Sequence, residues 1–290
     1  MTSLWPDATE RIPLRDNAFA LHLPARASSG APPVLLVHGF RGYAGEWGPV
    51  AERLAATRDV WAVELVTQGK GMPPVFSLLD EVAAEAAADG ALEVVGISMG
   101  GYVTASWVAH ATRQIERLVL LAPALVDLQP AWRIPGVTRL IGTQVALDAD
   151  ERRWAASLAD ADVDSFFERE SPNHLQVPDG WRTAILEAHR VSLTDAAAAG
   201  RIHARQEIVR CLMATLRRRG GIAELLGRVR VPVLWLHGDG DGLVPFGPSE
   251  HAAKGLRDVI FERVAGAGHI LQLECPELVA SRVAQASAVS

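Results

Sequence analysis

Ser98 stands within Gly96-Ile97-Ser98-Met99-Gly100-Gly101, the stretch of this 290-residue chain where residue types and spacing first suggest chemistry. An apolar run, Leu92-Glu93-Val94-Val95-Gly96-Ile97, leads into it, and helical spacing over residues 102–109 leads away. A serine at a sharp turn between a buried strand and a helix is held clear of the chain, where its hydroxyl can act as a nucleophile. Gly96 and Gly100, two positions to either side, lack a Cβ and relieve the crowding of such a turn. Ser98 itself is expected at positive φ, a strain of about 1–3 kcal/mol that surrounding packing must hold. The five-residue pattern arises by chance in roughly one chain in ten of this composition, so its context and partners decide its meaning.

A serine nucleophile needs a base, an acid to orient the base, and donors for the oxyanion. In an open parallel sheet these come from loops at the carboxyl ends of strands. Of nine histidines, only His38, His237 and His269 lie near the ends of expected strands. His269 follows Gly266-Ala267-Gly268, whose small side chains let a loop carry an imidazole over a neighbouring strand end. It is the expected base. His38 and His237 fall inside or at the end of apolar strands and read as structural. Asp239 and Asp241, in Leu236-His237-Gly238-Asp239-Gly240-Asp241-Gly242, are candidate acids, and Asp127 is a third. Asp and Gly also build turns, so one of the pair is expected to serve the turn. The stretch lacks the remaining ligand positions of a calcium loop. The expected oxyanion donors are the backbone N–H groups of Met99 and Phe40, one directly after the nucleophile and one in the loop after the first buried strand.

These groups need a sheet to carry them. Residues 10–23 read as two short strands about a turn at Arg15-Asp16-Asn17. The continuous apolar run at 34–38 reads as a strand buried on both faces, and 60–65, 92–97, 118–122, 231–236 and 259–264 read as further strands. Helical spacing at 47–56, 78–88, 102–109, 249–256 and 276–284 alternates with them, and Gly69–Pro74 reads as a loop. The alternation predicts an α/β fold with a doubly wound, mostly parallel, eight-stranded sheet. It stops between residues 124 and 228, where helices are expected at 149–158, 179–193 and 201–219. That divides the chain into a core, 1–123 and 229–290, and an inserted helical cap, 124–228.

The bulk composition excludes several classes. The net charge of −6 comes without a basic stripe, so no nucleic-acid partner is expected. Cys211 and Cys275 match no metal-ligand spacing and read as reduced thiols. The longest apolar run, 118–126, is too short to span a bilayer. No basic segment followed by an apolar stretch opens the chain. The expectation is a soluble cytoplasmic protein without a metal or cofactor.

Taken together, Val37-His38-Gly39-Phe40, Gly96 to Gly101, Leu118 to Pro123, Pro232 to Pro245 and Gly266 to Pro276 resemble the α/β-hydrolase superfamily. The resemblance covers roughly the first 123 and last 60 residues. In that family the acid usually stands three residues before a Val-Pro pair, which points to Asp241 rather than Asp239. A helical cap usually follows the sixth strand. Many members carry an Asp-x-Pro-Gly-x-Gly-x-Ser loop after the fourth strand; here Glu64-Leu65-Val66-Thr67-Gln68-Gly69-Lys70-Gly71-Met72 departs from it. The resemblance implies a cofactor-free serine hydrolase in which Ser98, His269 and Asp241 act on a small-to-medium, largely apolar carboxylic ester or lactone. Carbon–carbon bond hydrolysis of a dioxo acid and acyl transfer would use the same triad. A non-catalytic binding protein of the same fold is the remaining alternative. Trp132, Trp154, Phe166, Phe167 and Trp181 are expected mainly as cap core, with one or two facing the site. Trp132 and Phe166 are the named pocket candidates. Arg217-Arg218-Arg219 reads as a solvated helix end. Glu64, at a strand end, is in position to face the site.

Overall fold

The computed structural model describes residues 4–27, 29–88, 90–125, 144–159, 162–168, 177–193, 195–218 and 220–285; of 144–150, 159, 165 and 166 it describes the backbone alone. β1 (Glu10–Pro13) and β2 (Phe19–Leu23) flank a 3-10 turn at Arg15–Asn17. Asp16 and Asn17 turn the chain there at φ of 56° and 62°, a region that Asp and Asn tolerate better than most residues. Next come β3 (Val34–Val37), a 3-10 turn (Ala44–Trp47), α1 (Gly48–Leu54), β4 (Val60–Val63), α2 (Met72–Ala87), β5 (Leu92–Ile97), α3 (Met99–Val108) and β6 (Ile115–Leu121). Among the described residues five helices then follow: α4 (Gln144–Ala159), α5 (Val163–Glu168), α6 (Asp179–Ser192), α7 (Ala198–Arg217) and α8 (Gly221–Leu226). The chain ends on β7 (Val233–Gly238), α9 (Phe246–Ala253), β8 (Val259–Val264), α10 (Leu271–Glu274) and α11 (Pro276–Ala284).

The strands form one eight-stranded sheet in the order β1-β2-β4-β3-β5-β6-β7-β8. β1 and β2 pair antiparallel and β2 meets β4 antiparallel; every later pairing is parallel. The register aligns the carboxyl ends. Val37 lies opposite Gly96, Ile97 opposite Leu121, Leu121 opposite Leu236, and Gly238 opposite Val264. The loops after β3, β5, β7 and β8 therefore leave the sheet along one edge.

Alternate residues of the buried strands feed two cores, one on each face of the sheet. Leu35, Val37, Val94, Leu118, Leu120 and Trp235 pack under α2, α3, α7 and α8. Val34, Leu36, Val95, Val119, Leu121 and Leu236 pack under α1 and α11. A third cluster joins the inserted helices to the last loop, with Trp154, Leu158, Phe167, Ile185 and Leu186 against Ile270 and Leu273.

Several boundaries differ from expectation for physical reasons. α2 begins at Met72, inside the stretch expected as a loop, because Pro73 and Pro74 fall in the first turn, where no backbone N–H is required. α9 begins at Phe246, directly after Pro245, and ends before Leu256. α7 starts at Ala198 and stops at Arg217, leaving Arg218 in extended geometry. The short helices α5, α8 and α10 carry too few turns to show periodicity.

The turn at Ser98 has no spare volume. A Cβ on Gly100 would overlap the backbone carbonyls of Val37 and His38, and one on Gly96 would lie 2.5 Å from the Gly100 carbonyl oxygen. Backbone atoms on both sides leave little room to relax. Gly100→Ala is accordingly expected to cost about 1–3 kcal/mol, the usual range for overpacking a filled interior. A thermal melt reads this as a fall of several degrees; an unchanged midpoint would show that the turn has room.

Candidate active site

Ser98 takes φ 53° and ψ −121° between β5 and α3. Four backbone hydrogen bonds hold this conformation. Its N–H donates to Leu121 O at 3.0 Å, and its carbonyl accepts from Gly101 N (3.0 Å), Tyr102 N (3.3 Å) and Ala124 N (2.8 Å). Gly39 comes close enough that an added Cβ would stand 3.2 Å from Ser98 Cβ. The loop after β3 is thus stacked against the nucleophile candidate.

His269 and Asp241 arrive on adjacent loops. Gly240 N donates to Ala267 O at 2.9 Å and Asp239 N to Val264 O at 3.2 Å, so the two loops are joined through their backbones. Gly238 permits this approach, because a Cβ there would overlap the carbonyls of Ala267 and Gly268. His269 Nδ1 lies 2.8 Å from Asp241 Oδ2. Asp241 Oδ1 accepts from the N–H groups of Leu243 and Val244, both at 2.8 Å. With Nδ1–H committed to the carboxylate, the lone pair of His269 is on Nε2. Burial pushes the Asp241 carboxyl up. Hydrogen bonds from His237 and His269, the charge of His269 and the Val244 N–H outweigh burial and hold it well below the usual carboxylate range.

The other acid and the other two histidines have different work. Asp239 accepts from Arg263 Nε at 2.8 Å and from Gly266 N at 2.8 Å, bracing the turn before His269. Arg263 first, then the Gly266 N–H, hold its carboxyl below the ordinary value. His38 accepts from Leu65 N on Nε2 (3.1 Å) and donates from Nδ1 to Gly39 O (2.9 Å). His237 accepts the Trp235 indole N–H on Nδ1 (3.2 Å), and its Nε2–H is shared between Val244 O (2.8 Å) and Asp241 Oδ2 (3.4 Å). Both ring nitrogens are committed in each case, and both rings are buried. Asp127 lies outside the described residues.

Ser98 and His269 line one cavity of about 330 Å³. Phe40, Ile97, Leu243, Trp154, Phe167 and Ile185 form much of its apolar wall. Met99 opens α3, whose first N–H groups have no acceptor within the helix. Phe40 belongs to the loop stacked on Ser98, and Arg41 beside it takes φ 58°. The Arg41 guanidinium lies 4.8 Å from both the Phe40 and Trp154 ring centres.

Among the aromatic candidates, Trp154 and Phe167 reach the cavity, and Trp181 packs on the third cluster. Trp132 lies outside the described residues, and so does the side chain of Phe166, whose backbone lies in α5. Glu64 does not line this cavity. It is buried in a bridge between sheet and inserted helices, with Oε1 on Arg201 Nε at 2.5 Å and Oε2 on Ala44 N at 2.8 Å. Arg218 pairs with Glu224 at the end of α7, and Arg219 lies outside the described residues.

One residue of the site escaped sequence reasoning. The Glu274 carboxylate accepts from Gly268 N at 2.6 Å and from Ile270 N at 3.0 Å, the two N–H groups flanking His269. It thereby fixes the backbone that carries the imidazole. Its only sequence signal is a carboxylate five residues after the histidine, at the close of a one-turn helix.

Comparison with known proteins agrees with this architecture. Over 244 residues the chain is 25% identical to the pimeloyl-(acyl-carrier protein) methyl ester esterase of Chromobacterium violaceum, covering 82% of this chain and 87% of that protein. Over 102 residues it is 30% identical to the abhydrolase domain-containing protein abhd-5.2 of Caenorhabditis elegans. That match covers 31% of this chain and spans only 23% of the worm protein's length. The 2-hydroxy-6-oxo-6-phenylhexa-2,4-dienoate hydrolase from Rhodococcus sp. strain RHA1 superposes with a TM-score of 0.67 at 21% identity, covering 95% of this chain and 96% of that one. A family model for the alpha/beta hydrolase fold matches residues 32–276. With its sheet order, its turn at Ser98 and this match over most of its length, the chain belongs to the alpha/beta hydrolase fold family.

Proposed function

We propose that the protein is a serine hydrolase that cleaves a carboxylic ester or lactone with a small-to-medium, largely apolar acyl group, through an acyl-enzyme on Ser98. The observation that carries this reading is the pairing of His269 with Asp241 at 2.8 Å, with His269 and Ser98 on one cavity. His269 Nε2 takes the proton of Ser98 Oγ as the oxygen attacks the carbonyl carbon. The Asp241 carboxylate balances the imidazolium that forms. The N–H groups of Met99 and Phe40 receive the developing oxyanion, and each such donor contributes roughly 3–4 kcal/mol where measured. The imidazolium then protonates the departing alkoxide, and water, activated by the same base, releases the acid. This sequence of steps needs neither a metal nor a cofactor. The esterase name of the Chromobacterium violaceum relative supports ester chemistry.

The assignment is tested with short acyl esters and a ring-cleavage dioxo acid as substrates. Ser98→Ala is expected to abolish ester hydrolysis. Asp241→Asn is expected to lower kcat about 10⁴-fold, the order seen when the orienting acid of such a triad becomes an amide. Asp239→Asn, whose partner is Arg263, is expected to leave kcat/KM nearly unchanged. Full activity in Ser98→Ala would remove the nucleophile. Turnover of the dioxo acid alone would replace ester cleavage by carbon–carbon bond hydrolysis.

The charge of Asp241 also sets a pH dependence. Its folded value is depressed, so its contribution to stability is present above the unfolded value of about 3.9 and is lost as pH falls through the lower folded one. The stability gap between wild type and Asp241→Asn is therefore expected to be constant from neutral pH to about pH 5 and to shrink below it. Thermal melts of both proteins across this range check the sign. A gap that widens on acidification would contradict it.

A further inference from the structure

A second cavity, of about 530 Å³, lies outside the site of Ser98. Three elements supply much of its wall, which Leu4, Trp5 and Arg201 help to complete. The β1–β2 hairpin contributes Arg11, Phe19 and Leu21, and the register places Arg11 opposite Leu21. The loop after β3 contributes Tyr43. One face of α6 contributes Thr183, Ala184, Glu187, Ala188 and Val191, a stripe at helical spacing. The small residues of that stripe face the large ones of the hairpin, and this mismatch leaves the space open. Val191, at the rim, keeps 40% of its surface exposed.

The charges around the cavity are unevenly satisfied. Glu64 and Asp195 both bind Arg201, and Glu187 binds Arg190. Every acid on the wall is therefore already paired. Arg11 has no carboxylate partner among the described residues, and its guanidinium stacks 3.8 Å over the Phe19 ring. The Tyr43 hydroxyl makes no hydrogen bond to a described residue, and burial first, then Glu46 and Glu64, push it up, so it stays a donor. An apolar chamber of this size whose spare polar groups are a cation and a hydroxyl donor suits an amphipathic anion.

We propose that this cavity is a second binding site, one that takes a medium-chain carboxylate. The chain lies among Phe19, Leu21 and Val191, and the carboxylate meets Arg11. The opposite face of α6 carries Ile185 and His189 into the cavity of Ser98, where His189 Nε2 lies 3.3 Å from Glu46 Oε1. One helix thus walls both cavities, and a ligand seated in the second bears on the first. On the hydrolase reading above, a carboxylate is also what the reaction releases, so the second site senses the product class. That link rests on the proposed function; the binding test does not use turnover, so the two fail separately.

The test is calorimetric titration of sodium decanoate, below its micelle concentration, into the Ser98→Ala protein, with decanol as the uncharged control. One saturable site is expected for decanoate, with decanol at least tenfold weaker. Arg11→Gln is expected to weaken decanoate binding about tenfold, and Val191→Trp, which fills the rim, to abolish it. Arg11 is exposed, so its variant decides the matter even where the tryptophan variant fails to fold. Absence of saturable binding would overturn the proposal. So would binding that survives Arg11→Gln unchanged, because the ligand would then occupy the Ser98 cavity.

Discussion

The molecule depends on a close approach of backbone to backbone at the turn between β5 and α3. Gly100 lies against the carbonyls of Val37 and His38, and Gly96 against the carbonyl of Gly100. This contact forces Ser98 to φ 53°, a conformation that the four backbone hydrogen bonds around it sustain. Strain of this kind persists only where the surroundings over-determine it. Here they do, because the same contact locks β3 to β5 and places Gly39 beside Ser98. The neighbouring strand ends fall into line through the parallel register, so the strained serine, the His269 loop and the Asp241 loop occupy one edge.

Buried charge is the second constraint. An isolated carboxylate in this interior would be costly, and Asp241, Glu274 and Glu64 are each instead engaged by donors. Asp241 receives two backbone N–H groups and His269; Glu274 receives the two N–H groups around His269; Glu64 receives Arg201 and Ala44 N. The three carboxylates divide the labour. Asp241 sets the tautomer of the imidazole, Glu274 sets the backbone beneath it, and Glu64 ties the inserted helices to the sheet. On the opposite edge, Glu93 binds Arg58 at 2.5 Å and Arg117 at 3.0 Å, which ties the amino ends of β5 and β6 to the loop before β4.

What the sequence made legible follows from where the information is local. The inner strands were readable because continuous apolar runs such as Val34–Val37 and Val233 to Leu236 are buried on both faces. The Ser98 turn was readable because its glycines answer a steric demand within five residues. Asp239 and Asp241 could not be separated by composition, since both sit in the same turn; their difference lies in Arg263 and His269, which are 24 and 28 residues away. Glu64 looked like a site residue because its partner Arg201 is 137 residues distant. Trp154 and Phe167 could not be chosen over their neighbours, because which face of an inserted helix meets the sheet is decided by tertiary packing. Glu274 was invisible for a related reason: the donors it accepts from are backbone N–H groups, which carry no sequence signature.

The central claim is that Ser98 is activated by a base that Asp241 holds in place. Intact-protein mass spectrometry after brief exposure to a fluorophosphonate, followed by peptide mapping, tests it most directly. The account predicts one adduct on Ser98, formed quickly in the wild type and far more slowly in His269→Gln. No adduct, or one on another residue, would contradict it.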